Sequence, residues 1–161
     1  MAAIASTSQL PLPYDFYHKK PLEVKFSGLD LSSDAGFLLL RQAEEQERVC
    51  EGIVACLDDN RDPSKITHTL NQLVSQRIYQ IAAGYEDAND SNDLRHDPIL
   101  KIACERVPIP GEELLASQPT ISRLENQVSK KELGVIRRFF VDKFIQGYKQ
   151  APQEILLDID A

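Results

Sequence analysis

The chain has no hydrophobic run of any length. Residues 37–40 form one of its longer purely apolar stretches near the start, and a bilayer-spanning helix needs about 20 such residues. The opening MAAIASTS has neither a basic segment nor an apolar core, so it reads as no signal peptide. Cysteine is scarce: Cys50, Cys56 and Cys104 are odd in number and share no framework spacing. That pattern predicts buried free thiols in a reducing, cytoplasmic setting. No CxxC or HxxxH pair is present, so these cysteines lack zinc-ligand spacing with His68 or His96. The acidic stretch 86–93 lacks the glycine and the closing glutamate of a calcium loop. Asp87, Asp90 and Asp93 therefore read as loop and cap residues. Positive charge is also short, with 18 Lys and Arg against 25 Asp and Glu and a net charge of −7. That balance argues against nucleic-acid binding over the whole surface.

What is present fits a globular chain of one domain, or one domain and part of a second: 161 residues, 42% hydrophobic and 27% charged. The charge is uneven. Residues 1–60 carry net −5, residues 61–116 net −3, residues 117–150 net +4 and residues 151–161 net −3. A local basic stripe matters more for phosphate contact than the global balance does.

Residues 1–20, with Pro11 and Pro13 and no apolar period, read as a mobile arm. Residues 22–26 alternate apolar and polar, as in a half-buried strand, and residues 29–31 read as its return, giving a small hairpin over 22–31. One helix is expected from about 32–34 to about 57, weakened at Gly36 and Gly52. A second is expected from Pro63 to Gly84, with Ile66, Leu70, Leu73, Val74, Ile78 and Ile81 on one stripe. Asp97 and Pro98 open a third, which the proline-rich 107–111 stops. A single turn is expected at 112–116. Ser129 and Glu132 form a capping box for a last helix, whose Leu133, Ile136, Phe140 and Phe144, widened by Val135 and Phe139, predict deep burial. The chain closes on the apolar run 155–157 followed by Asp158 and Asp160, the pattern of a strand that delivers an acid to a sheet end. The resulting expectation is a mainly α chain: arm 1–20, helical domain 21–150, and a strand within 151–161.

The stretch 115–126, LASQPTISRLEN, organises the functional reading. Ser117 is an N-cap and Pro119 suits the first turn. Ile121, Leu124 and Val128 make a buried face. Ser122, Arg123 and Asn126 fall on the other face, and such side chains read base edges and phosphates from a helix in the major groove. Lys130, Lys131, Arg137 and Arg138 follow as phosphate contacts. The order of helices over 97–127 is compatible with a helix-turn-helix.

Blocks in order along the chain carry a resemblance: VKFSG at 24–28, LSSDAG at 31–36, CLDDNRD at 56–62, QRIYQIAAGYED at 76–87, LRHDP at 94–98, the stretch at 115–126, and LDIDA at 157–161. Together the chain resembles the N-terminal part of DDE transposases of bacterial insertion sequences. The resemblance implies a ribonuclease H-like catalytic domain in which two Asp and one Glu hold two Mg²⁺ ions that activate the attacking oxygen. By the family pattern Asp160 is the first catalytic and metal-binding carboxylate, with Asp158 as the alternative. The second Asp and the Glu have no counterpart here. The expectation is therefore a truncated transposase, inactive in strand transfer, that binds the terminal repeats of its element as DNA partner.

Two other readings compete. In one, the chain is a non-catalytic module that pairs with itself or with a full-length transposase through Phe139, Phe140 and Phe144, and so inhibits it. In the other, the acidic stretch 86–93 serves a metal-dependent hydrolase, which no histidine pair or nucleophile supports.

Overall fold

The computed structural model describes residues 12–14, 16–17, 22–24, 34–109 and 113–157. The described chain is mainly helical, as expected, with α1 (Gly36–Glu47), α2 (Val49–Val54), α3 (Leu70–Ala82), α4 (Ser91–Leu94), α5 (Pro98–Ala103), α6 (Gln118–Gln127) and α7 (Lys130–Gln146). Two short strands, β1 (Leu12–Tyr14) and β2 (Leu22–Val24), pair antiparallel with Leu12 opposite Val24. The strand expected from residue 22 is there, but its described partner is β1. The return strand expected at 29–31 lies outside the described residues. Within the stretch read as an arm, Tyr14 and Phe16 are buried against Leu38 and Ile102.

The core gathers apolar positions from nearly every helix. Phe37, Cys50, Leu73, Val74, Tyr79, Leu100, Leu115, Ile121 and Leu124 form one buried cluster. α3 is its centre: it packs against α1, α2 and α6. Each buried aliphatic or aromatic side chain here contributes about 1.5–3 kcal/mol through its removal from water.

Three boundaries differ from the expected ones. The first long helix is two. Arg48 adopts a left-handed backbone, φ 51°, between α1 and α2. The buried Glu44 side chain replaces the lost helical bonds: its carboxylate accepts from the N–H groups of Val49 (3.0 Å) and Cys50 (2.8 Å) at the start of α2. An anion there also meets the positive end of the α2 dipole. α3 begins at Leu70 rather than Pro63. Pro63–Lys65 is a separate 3-10 turn capped by Asp62, and a capping box between Thr69 and Gln72 starts the helix proper. Gly84 ends that region with φ 91°, a conformation that suits glycine. The turn expected at 112–116 is absent from its described part, residues 113–116.

The capping box of α7 is as expected, with Glu132 accepting from Ser129 N–H at 2.7 Å. The burial of α7 is not. None of its residues is buried. Leu133, Val135, Phe140, Phe144 and Ile145 are exposed. Among the described residues α7 packs on α2 along one side, with the Phe139 ring against Gly52. Residues 151–157 form no strand, and Leu156 is 91% exposed. The remainder of the expected terminal strand, residues 158–161, lies outside the described residues.

Candidate nucleic-acid interface

α6 is fixed from both ends of its N-terminal approach. Gln76 on α3 donates through Nε2 to the Ala116 carbonyl and accepts through Oε1 from the Ala116 N–H, both at 2.9 Å and both buried. Two hydrogen bonds from one amide thus lock the peptide that leads into the helix. Ser117 occupies the N-cap position but makes no capping bond. Asn92 takes that role from α4, its Oδ1 accepting from the Gln118 N–H at 3.1 Å. Ile121 and Leu124 are buried, as expected. On the outer side Glu125 pairs with Arg77 of α3 at 2.6 Å.

The expected outer face is therefore presented, with one qualification of geometry. Arg123 is exposed and has no ion pair among the described residues. Ser122 is half-buried, and Asn126 folds back on it, with Nδ2 donating to the Ser122 carbonyl at 2.7 Å and reaching Ser122 Oγ at 3.2 Å. Lys130, Lys131 and Arg137 are exposed at the start and middle of α7. Arg138 is also exposed but pairs with Asp142 one turn on, at 2.9 Å. Such a surface pair contributes little and exchanges easily.

The helix-turn-helix order is not what the described residues show. α5 and α6 are separated by residues 104–117, which include no helix among those described. The helical neighbours of α6 are α3 and the short α4. A helix-turn-helix needs a tight turn between its two helices.

A second group of charges gathers beside α6, from residues the pattern did not single out. Arg61, Asp62, Lys65, Thr67 and His68 face Thr120 and Arg123 across an open groove of about 440 Å³. Arg61 forms a fork on Asp59, with Nε to Oδ1 at 2.7 Å and Nη2 to Oδ2 at 2.6 Å, and also donates to the His68 carbonyl at 2.9 Å. Arg106 closes the other side, donating to the Thr67 carbonyl at 2.6 Å and to Gln72 Oε1 at 3.0 Å, with His68 Nδ1 also at 3.0 Å. Burial, together with the positive charges of Arg106, Arg95 and Arg61, pushes the His68 imidazole down to about 4. It is neutral near pH 7. Arg61 also lines a neighbouring groove with Lys131, Asp58 and Glu132. The Glu132 carboxylate is held at about 2 by the N–H groups of Asp58 and Ser129 and the Ser129 hydroxyl. Sequence pattern missed this group because its two halves lie nearly sixty residues apart.

The cysteines are free, with Cys50 and Cys104 buried. Burial raises the Cys50 thiol to about 12, so it is no nucleophile. Asp87 accepts from Asn89 N–H at 2.8 Å and caps a 3-10 turn. Among the described residues no group of three or more His, Cys, Asp or Glu side chains is placed to hold a metal ion. Asp158 and Asp160 lie outside the described residues. No described helix is long and apolar enough to cross a membrane.

No curated protein and no solved structure matches the chain. A family model described as transposase DDE domain group 1 matches residues 15–161. That span takes in β2 and all seven helices described above, and the chain belongs to this family of transposases, whose work is DNA transposition and whose chemistry uses divalent metal ions.

Proposed function

We propose that this chain recognises the terminal repeats of a bacterial insertion sequence in the cytoplasm, as the DNA-binding region of its DDE transposase. Arg123 carries the reading. It is exposed on α6, it has no ion pair among the described residues, and the helix beneath it is locked to the core through Gln76. A rigid helix with an uncommitted guanidinium is suited to bidentate contact with guanine. Ser122 and Asn126, already in contact with each other, supply a second contact at one turn's spacing. Lys130, Lys131, Arg137 and Arg138 supply sequence-independent phosphate contacts along α7. Asp160, or Asp158 in its place, is the first carboxylate for a divalent metal, Mg²⁺ by preference, in a ribonuclease H-like active site. One carboxylate does not hold two metal ions, so the 161 residues by themselves bind DNA without cutting it.

Selection of duplexes from a random pool tests the reading. The expected result is enrichment of one motif, with Arg123→Ala weakening binding to that motif by about 10- to 100-fold, the scale of one bidentate base contact at 1–3 kcal/mol. Unchanged motif binding by Arg123→Ala removes Arg123 from the reader's role.

A second reading rests on a different observation. The exposed Leu133, Phe140, Phe144 and Ile145 give α7 an apolar outer face. Such a face suits pairing with another transposase chain, as a homodimer or with a longer copy, and would make the chain an inhibitor. Sedimentation at several concentrations decides: Phe140→Ser with Phe144→Ser should abolish self-association, and a wild-type monomer at all concentrations removes the homodimer.

A further inference from the structure

We infer that the groove between the 61–68 turn and the N-terminal half of α6 binds a phosphate group of nucleic acid, held by Arg61 and Lys65 with His68 as a hydrogen-bond donor, beside the Arg123 that reads the bases. The inference rests on the DNA-binding reading above and extends it to residues on a separate part of the chain.

Two elements bring the cations together. Arg61 and Lys65 come from the turn before α3, and Arg123 comes from α6. The residues lining the groove carry three permanent cations and one carboxylate, Asp62. That carboxylate is occupied: Oδ1 accepts from Ser64 N–H at 3.0 Å and from the Ser64 hydroxyl at 2.8 Å, and Oδ2 stands 3.5 Å from Lys65 Nζ. Asp59 takes up part of the charge of Arg61. Arg123 has no such partner among the described residues. Arg95 and Arg106 add two more positive charges close to His68, and each has a buried Nε without a hydrogen-bond partner. The excess around this groove is thus positive in a chain whose overall charge is negative.

His68 contributes by its tautomer. Arg106 is a donor only, and the nearness of its Nη2 to His68 Nδ1 favours the ring with that nitrogen unprotonated. The proton of the neutral ring then sits on Nε2. A neutral N–H donor amid cations suits a phosphate oxygen and repels nothing. The groove also reaches α6, whose Thr120 lines it. Arg61 joins it to the neighbouring groove that contains Lys131. A chain of phosphates passing over α6 meets Lys131, Arg61 and Lys65 in turn, which an isolated phosphate ion has no reason to do.

Fluorescence anisotropy with a random-sequence duplex of about 20 base pairs, at several salt concentrations, tests the assignment. Lys65→Gln, an exposed change that leaves the Ser64 bonds to Asp62 in place, should weaken binding severalfold and lower the salt slope by about 0.9, the value of one released phosphate contact. Arg61→Gln should do the same, with a thermal melt to verify its fold. Lys149→Gln, an equal charge change beyond the far end of α7, should leave both quantities alone. Identical slopes for Lys65→Gln, Arg61→Gln and the unaltered chain overturn the groove while leaving DNA binding by α6 intact. A random pool that yields no motif, with the slopes still reduced, removes only the recognition of a specific end. Inorganic phosphate binding as tightly as the duplex, in calorimetry, overturns nucleic acid as the source of the phosphate. An unaltered chain that binds no duplex overturns both readings.

Discussion

Gln76 commits both ends of its amide to a single peptide forty residues away. Replacing it with leucine keeps the volume but leaves the buried N–H and carbonyl of Ala116 unmatched. Each such group costs about 1–3 kcal/mol. Gln76→Leu should therefore lower the unfolding free energy by about 2–6 kcal/mol in a urea titration, and weaken DNA binding through α6 more than Asn71→Leu, at an exposed position of α3, does. His68 gives a pH test. Its folded value, about 4, lies below the ordinary 6.5. Below pH 6.5 the unfolded chain binds a proton there that the folded chain refuses. Stability should fall between about pH 6.5 and pH 4 for this reason, and the loss should be complete below the lower value. His68→Asn should flatten that part of the pH–melting curve; an unchanged curve removes the role of His68. Neither residue stood out in the sequence. Gln76 looks like a polar interruption of an apolar stripe, and its partner is remote. Local pairs such as Ser129 with Glu132, or Asp97 with Pro98, were legible because cap and partner lie within one turn.

Elements were legible where a cap and an apolar stripe agree. α5, α6 and α7 begin where their cap residues stand. The break between α1 and α2 was hidden, because the apolar positions continue across Arg48 and neither glycine nor proline marks it. The signal is a glutamate that reaches forward to the next helix start. Glu44→Ala should remove that cap and fray α2, seen as faster amide exchange at Val49 and Cys50 with α3 unaffected. α7 misled for the opposite reason. Its apolar residues surround much of the helix, and a pattern of that kind predicts burial only if something covers it. In the described structure α2 covers one side of it, with the Phe139 ring at Gly52. A methyl group there collides with the Phe139 ring. Gly52→Ala should displace α7 and raise its exchange rate while the melt of the core shifts by no more than about 1–3 kcal/mol, the usual cost of overpacking.

At the scale of the whole molecule the helical class and the family were both readable, the first from periodicity and the second from blocks of residues in order. The basic face was readable in part. Net +4 over 117–150 pointed to α6 and α7. The contribution of Arg61 and Lys65 was not visible, because acids surround them in sequence and only folding turns them toward Arg123. α7 touches its surroundings through few groups: the Phe139 ring, Lys143 to Glu47 at 3.1 Å, and Glu132 to the Asp58 N–H at 3.0 Å. It buries no side chain of its own. Its removal subtracts almost nothing from the hydrophobic interior. Trypsin should therefore clip this helix off at its lysines and arginines first, and the trimmed remainder should still melt in one cooperative step, an appendage shed from an intact globule.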